Sequence, residues 1–298
     1  MSYSSVQIKK PAKAGFRRKE LRALISLMED PDEFVQQKVQ ERLAELDDNS
    51  IPILDEIREE INDVSIRSRL TQLIHHITYP SYEQEFIEYL EKGIHSVPDL
   101  EKGQLLLSRF ENPTLRTDLY QRQLDKMAAR VEPAIRTALS SREQMEFFTA
   151  YFFEKEYFKG ARNDYSHPDN SYLHKVLQRR RGIPISLSMV MMFVAFRLEL
   201  PLSGINMPKH FLLKYETDNE SILLDPFNYG RIVSMDQCAY FLRSNGITPD
   251  PSHFEKAGER DILVRTIRNL ISSFEERGEE QNVTELKRLL GYMMQIHS

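Results

Sequence analysis

The sequence predicts an α+β protein in which helices dominate. Three observations carry that reading. Most of the chain places apolar residues three and four apart, the spacing of one helix face. Two short β-like stretches stand close together, Pro208–Tyr215 and Ser221–Phe227. Between the helical regions lies one strongly apolar helix, Ile185 to Phe196, with Pro184 in its first turn. Proline is favoured there because the N–H it lacks would have no helical partner anyway.

Composition narrows the class. The chain has 298 residues, enough for one large domain or two modest ones. It is 41% hydrophobic and 29% charged, an ordinary balance for a folded domain. Forty Lys and Arg against 45 Asp and Glu leave a formal charge of −5, so no basic field announces a nucleic acid. The run Ile185–Phe196 is too short to span a bilayer, and the N-terminus has no apolar signal core. One cysteine, Cys238, excludes an internal disulfide and a cysteine zinc cluster. A cytoplasmic protein without a membrane segment is expected.

Residues 1–17, with Lys9, Lys10 and Lys13, read as a mobile basic tail. From Arg18 the pattern is helical. Leu21, Leu24 and Ile25 form one stripe, and Asp30-Pro31-Asp32 ends that helix and starts a second. Asn49-Ser50-Ile51-Pro52 opens a third helix and Asn62-Asp63 a fourth. The similar openings at Asp32 and Asp63 suggest HEAT-like hairpins over 18–80. His75-His76 point too far apart on a helix to share a metal. Tyr79-Pro80-Ser81 is taken as the boundary.

Further helices follow around Leu105–Leu107, after Asn112-Pro113, and from Ser141 through the aromatic stripe Phe147–Phe153, read as packing. The loop 157–171 is rich in turn residues. Its Asp164, His167 and Asp169 are read as caps and Asx-turns rather than metal ligands. The run Arg179-Arg180-Arg181 offers a clamp for an anion or, more simply, a basic helix end.

The central stretch reads as a helix start, then a strand carrying His210, then a strand carrying Asp225. That is the layout of a papain-like or transglutaminase-like site. The ordered set Phe158-x-Gly160-x-x-Asn163-Asp164-Tyr165, Asn170-Ser171-Tyr172-Leu173, Arg180-Arg181-Gly182-Ile183-Pro184-Ile185-Ser186, Gly204-Ile205-Asn206-Met207-Pro208-x-His210 and Asp225-Pro226-Phe227-Asn228-x-Gly230 resembles the SirB1 family. Members carry a transglutaminase-like domain, and a related segment occurs in an F-box protein. The resemblance covers about 85–298. It implies a transglutaminase-like (papain-like) core with a small antiparallel sheet over 81–256, closed by tetratricopeptide-like helices over 257–298.

Catalysis in such a site needs a cysteine at a helix N-terminus, a histidine base and an orienting aspartate. Laid on this chain, His210 and Asp225 match, but the nucleophile position falls on Pro184, which has no thiol. Ser186 is the candidate substitute, with a capping or packing serine as its simpler reading. Cys238 reads as a small buried hydrophobe. The expected function is therefore a non-catalytic binding or regulatory module for a protein or peptide, with Asn163, Asn170, Arg181 and Asn206 as candidate ligand contacts. The alternative is a hydrolase or acyl transferase using Ser186, His210 and Asp225. No cofactor, metal, nucleic acid or membrane is expected.

Overall fold

The computed structural model describes residues 17–296, apart from 29. The fold is α+β and mostly helical. The described residues divide into two compact units: one runs through Tyr82 and includes Asn112–Thr114, and the other comprises Glu83–Glu111 and the chain from Leu115 onward. The basic tail read from the sequence lies outside the described residues.

The first unit begins with α1 (Arg18–Ser26), α2 (Glu33–Leu43), α3 (Ile51–Glu60) and the start of α4 (Val64–Glu91). Local chemistry sets each start. The Asp32 carboxylate accepts the Phe34 N–H at 2.8 Å, Pro52 sits in the first turn of α3, and Asp63 accepts from Ser65 and Ile66 at 2.8 and 3.1 Å. Leu21, Ile25, Val39, Leu54, Ile57, Leu70 and Ile74 form the core of this unit. Pro80 does not end a helix: α4 runs through it. A proline removes one N–H from the ladder, and the remaining bonds of a 28-residue helix carry it past that gap.

The second unit continues with α5 (Val97–Glu111), α6 (Thr117–Thr137) and α7 (Ser141–Ala150), which passes into a wider π-turn over Tyr151–Lys155. Then come β1 (Lys159–Gly160), α8 (Leu173–Arg179), β2 (Arg181–Gly182), α9 (Pro184–Arg197), β3 (Leu202–Ile205), β4 (Leu212–Glu216), β5 (Ser221–Asp225), β6 (Arg231–Val233), α10 (Met235–Ser244), α11 (Glu259–Arg277) and α12 (Glu280–Gln295). The last two form a hairpin turned at Gly278, whose φ of 70° lies in the left-handed region.

α9 is buried on all sides from Pro184 to Ala195, which explains its nearly unbroken apolar sequence. β1 and β2 pair in parallel, while β3-β4-β5-β6 form an antiparallel meander. Register places Leu213 opposite Leu224 and Leu223 opposite Val233. Alternation then sorts the two faces. Ile205, Leu212, Leu223 and Val233 pack with Cys238 and Leu242 of α10. Leu213, Tyr215 and Leu224 point the other way, and α9 packs on β3 and β4. Among the described residues no helix is long and apolar enough to cross a membrane.

Candidate functional site

His210 stands in the short connection from β3 to β4, after Lys209, which takes the left-handed conformation at φ 60°. Its backbone N–H donates to the Met207 carbonyl at 3.1 Å. Its Nε2 lies 3.1 Å from Oδ1 of Asp225, the last residue of β5. An ionised carboxylate only accepts, so Nε2 is the donor in this bond.

Asp225 also caps the tight turn Pro226–Asn228. It accepts the Asn228 N–H at 3.2 Å and the Asn228 side-chain amide at 2.6 Å. Arg162 holds that amide the right way round by donating to Asn228 Oδ1 at 2.6 Å. Burial pushes the Asp225 carboxyl up, but the His210 hydrogen bond and charge and the two Asn228 bonds outweigh it, so the group sits below the usual carboxylate range.

The pair opens onto a cavity of about 140 Å3 on the α10 face of the sheet. Met207, Leu212, Val233 and Phe241 supply its apolar wall; Asn228, Arg231, Gln237 and Cys238 complete it. The His210 ring lies 5.6 Å from that of Phe241. Cys238 is 4% exposed, and burial first, then the Asp225 charge, push its thiol up. Both effects disfavour the thiolate, the form that attacks a carbonyl.

The start of α9 does not share this cavity. The Ser186 hydroxyl accepts the Ile183 N–H at 3.0 Å and donates to the Asn170 carbonyl at 2.6 Å, fully buried. Ser188 bonds back to the Pro184 carbonyl at 2.8 Å. Gly182 is required beside it, because an added Cβ would overlap the Ser186 oxygen and crowd Val176 and Leu187. Ser186, the sequence's substitute nucleophile, therefore has no hydrogen bond to His210, since its oxygen already closes the helix start.

The other candidates separate in the same way. Asn170 is buried; its amide donates to the carbonyls of Asp164 and Tyr165, and Arg179 donates to it at 3.4 Å. It ties the 164–170 loop to α9 and offers no free group to a ligand. Arg179 pairs with Asp169 at 3.3 Å and Arg180 with Glu156 at 2.6 Å. Arg181 and Asn163 are exposed, and Arg181 makes no ion pair with the described residues. Asn206 is exposed and accepts from Arg265. His167 accepts the Asp169 N–H at 3.2 Å. Among the described residues no three His, Cys, Asp or Glu side chains converge on a metal position.

Sequence reasoning did not single out Arg162, Asn228, Arg231, Arg265 or Phe241. Asn228 carried a signal, standing three residues after an aspartate at a helix-start Pro. The arginines carried none, because their partners are distant in sequence.

His210 thus precedes β4 rather than lying in the strand the sequence predicted; a helix starting at Pro184, a meander, and a His–Asp pair joining its β3–β4 connection to the end of β5 are the parts of a transglutaminase-like domain. The chain belongs to the transglutaminase-like superfamily, whose model matches residues 118–268, about half of its length. Among curated proteins it is similar to a UPF0162 protein of Xylella fastidiosa (strain 9a5c), 34% identical over 176 residues, covering 57% of this chain and 63% of that one. A UPF0162 protein of Vibrio cholerae is 31% identical over 185 residues, covering 60% and 68%. F-box only protein 21 of Homo sapiens is 32% identical over 148 residues, covering 47% of this chain and 23% of that one. The chain thus spans less than two thirds of the Xylella relative and under a quarter of the F-box protein. No solved structure matches it.

Proposed function

We propose that the chain is a SirB1-type transglutaminase-like domain that works without acyl transfer, as a module binding a protein or peptide segment at the His210–Asp225 cavity. The observation that carries this reading is the separation of parts. His210 and Asp225 are paired at 3.1 Å, while the Ser186 hydroxyl is spent inside the fold and the family resemblance sets the nucleophile position on Pro184, which has no thiol. Cys238 shares the cavity, but burial and the Asp225 charge both disfavour its thiolate. A half-apolar pocket with a few fixed polar groups is the usual form of a recognition site.

Selection of a displayed random-peptide library against the intact chain tests this. Enriched peptides should bind the wild type and lose binding when Cys238→Trp fills the cavity. No enrichment, or equal binding to the filled variant, rejects the reading. Labelling by a fluorophosphonate probe that disappears in both Ser186→Ala and His210→Ala would replace it with the hydrolase alternative.

A further inference from the structure

We propose that the segment taken at this cavity is acidic, a peptide whose glutamate or aspartate carboxylates are received by Arg231, with Arg162 and Arg265 flanking. This rests on the binding reading above and names its ligand class.

Carboxylates are not scarce in this chain, with 45 acidic residues against 40 basic ones. Elsewhere they pair with arginine readily: Arg197 meets Glu101 and Asp125, and Arg180 and Arg130 meet Glu156. Around the cavity the pattern stops. Arg231 lines it, exposed, and makes no ion pair with the described residues. Arg162 bonds the neutral Asn228 oxygen and lies 5.1 Å over the Phe227 ring. Arg265 bonds only neutral oxygens, Asn206 Oδ1 and the Met207 carbonyl at 3.1 Å, and lies 5.6 Å from the Phe211 ring. The same Met207 carbonyl accepts from His210, so Arg265 sits on the turn that carries the histidine.

Burial holds the Arg265 guanidinium below its ordinary range, the mark of a cation that has lost water without gaining a counter-ion. An arriving carboxylate relieves that cost and gains the strength of a charge-assisted bond. Inside the cavity the one resident carboxylate, Asp225, is already bonded by His210 and Asn228. Gln237 accepts from Ser234 through its oxygen, which leaves its NH2 group as a further donor. Met207, Leu212, Val233 and Phe241 offer the methylenes of a glutamate an apolar wall. That wall favours a carboxylate side chain over a bare phosphate.

The test is fluorescence anisotropy on the full chain with a labelled glutamate-rich hexapeptide and its glutamine-rich counterpart of equal shape. The glutamate peptide should bind, weaken with added salt, and lose about tenfold or more in affinity with Arg231→Gln and with Arg265→Gln, the scale of one charge-assisted bond. Arg142→Gln, on the exposed face of α7, should change nothing. Arg231 is exposed, so its variant stays folded even if the Arg265 one does not. Equal binding of both peptides, wild-type affinity in Arg231→Gln, or equal displacement by free phosphate overturns the inference. If displayed peptides bind the cavity but are neutral, the binding reading stands and the acidic ligand is wrong; if no peptide binds, both fall.

Discussion

His210 and Asp225 show how one residue's chemistry depends on what surrounds it. Asp225 is buried, yet its donors hold its carboxyl below the usual range. A carboxyl depressed in the folded state adds stability above its unfolded value, about 3.9, and that contribution fades as pH falls through the lower folded value. Asp225→Asn should therefore cost most near neutral pH, and its deficit should shrink below about pH 4. Urea denaturation of both proteins from pH 7 to pH 3 reads this out; a deficit that stays constant removes the ion-pair account. Cys238 gives a second check at this scale. Because burial and the Asp225 charge both raise its thiol, it should react with a disulfide reagent far more slowly than an exposed thiol at pH 8, and Asp225→Asn should speed it. Both residues of the His–Asp pair were visible in the sequence as motif positions. The direction of the Ser186 hydroxyl was not, since that depends on where the Asn170 carbonyl lies after folding.

At the scale of elements, α9 is the clearest case of a start written locally and secured from afar. Pro184 marks the first turn, and Ser186 three residues past Ile183 bonds that residue's N–H. The carbonyl of Asn170 comes from another loop to accept the Ser186 hydroxyl's hydrogen bond. Gly182 lies against the same oxygen. Gly182→Ala should destabilise by about 1–3 kcal/mol through overpacking. Ser186→Ala should cost a similar amount, about 1–3 kcal/mol, by leaving the buried Ile183 N–H with only its long bond to the Asn170 carbonyl, 3.4 Å. Together they should cost less than their sum, because removing the hydroxyl opens the space the new methyl needs. Thermal denaturation of the four proteins measures the coupling; strict additivity would mean that the glycine has another role. Pro80 is the counter-example. The sequence marks it as a break, and α4 passes through, because a proline costs a helix one bond and one clash while neighbouring turns decide whether it continues.

Across the second unit, one arginine links three helices that pack through apolar faces. Arg197 at the end of α9 bonds both oxygens of Glu101 on α5, at 2.6 and 2.9 Å, and Asp125 on α6 at 2.6 Å. The Glu101 side chain is 7% exposed. Arg197→Ala leaves it buried without its partner and should cost about 3–5 kcal/mol in urea denaturation, whereas Arg197→Met with Glu101→Leu should cost much less. Equal losses in both would mean the pair contributes packing rather than charge.

The sequence alone determined the helix starts at Asp32, Pro52, Asp63 and Pro184 and two neighbouring β-like stretches that bring His210 and Asp225 close in the chain. These follow from backbone chemistry and side-chain alternation, which act over a few residues. Only the tertiary structure decided that the Asn170 carbonyl meets the Ser186 hydroxyl, that Cys238 and Arg231 share the His–Asp cavity, and that Arg162 and Arg265 bond Asn228 and Met207 of its lining. Those outcomes depend on which distant segments meet, and one chain's order of residues does not state which burial will be shared.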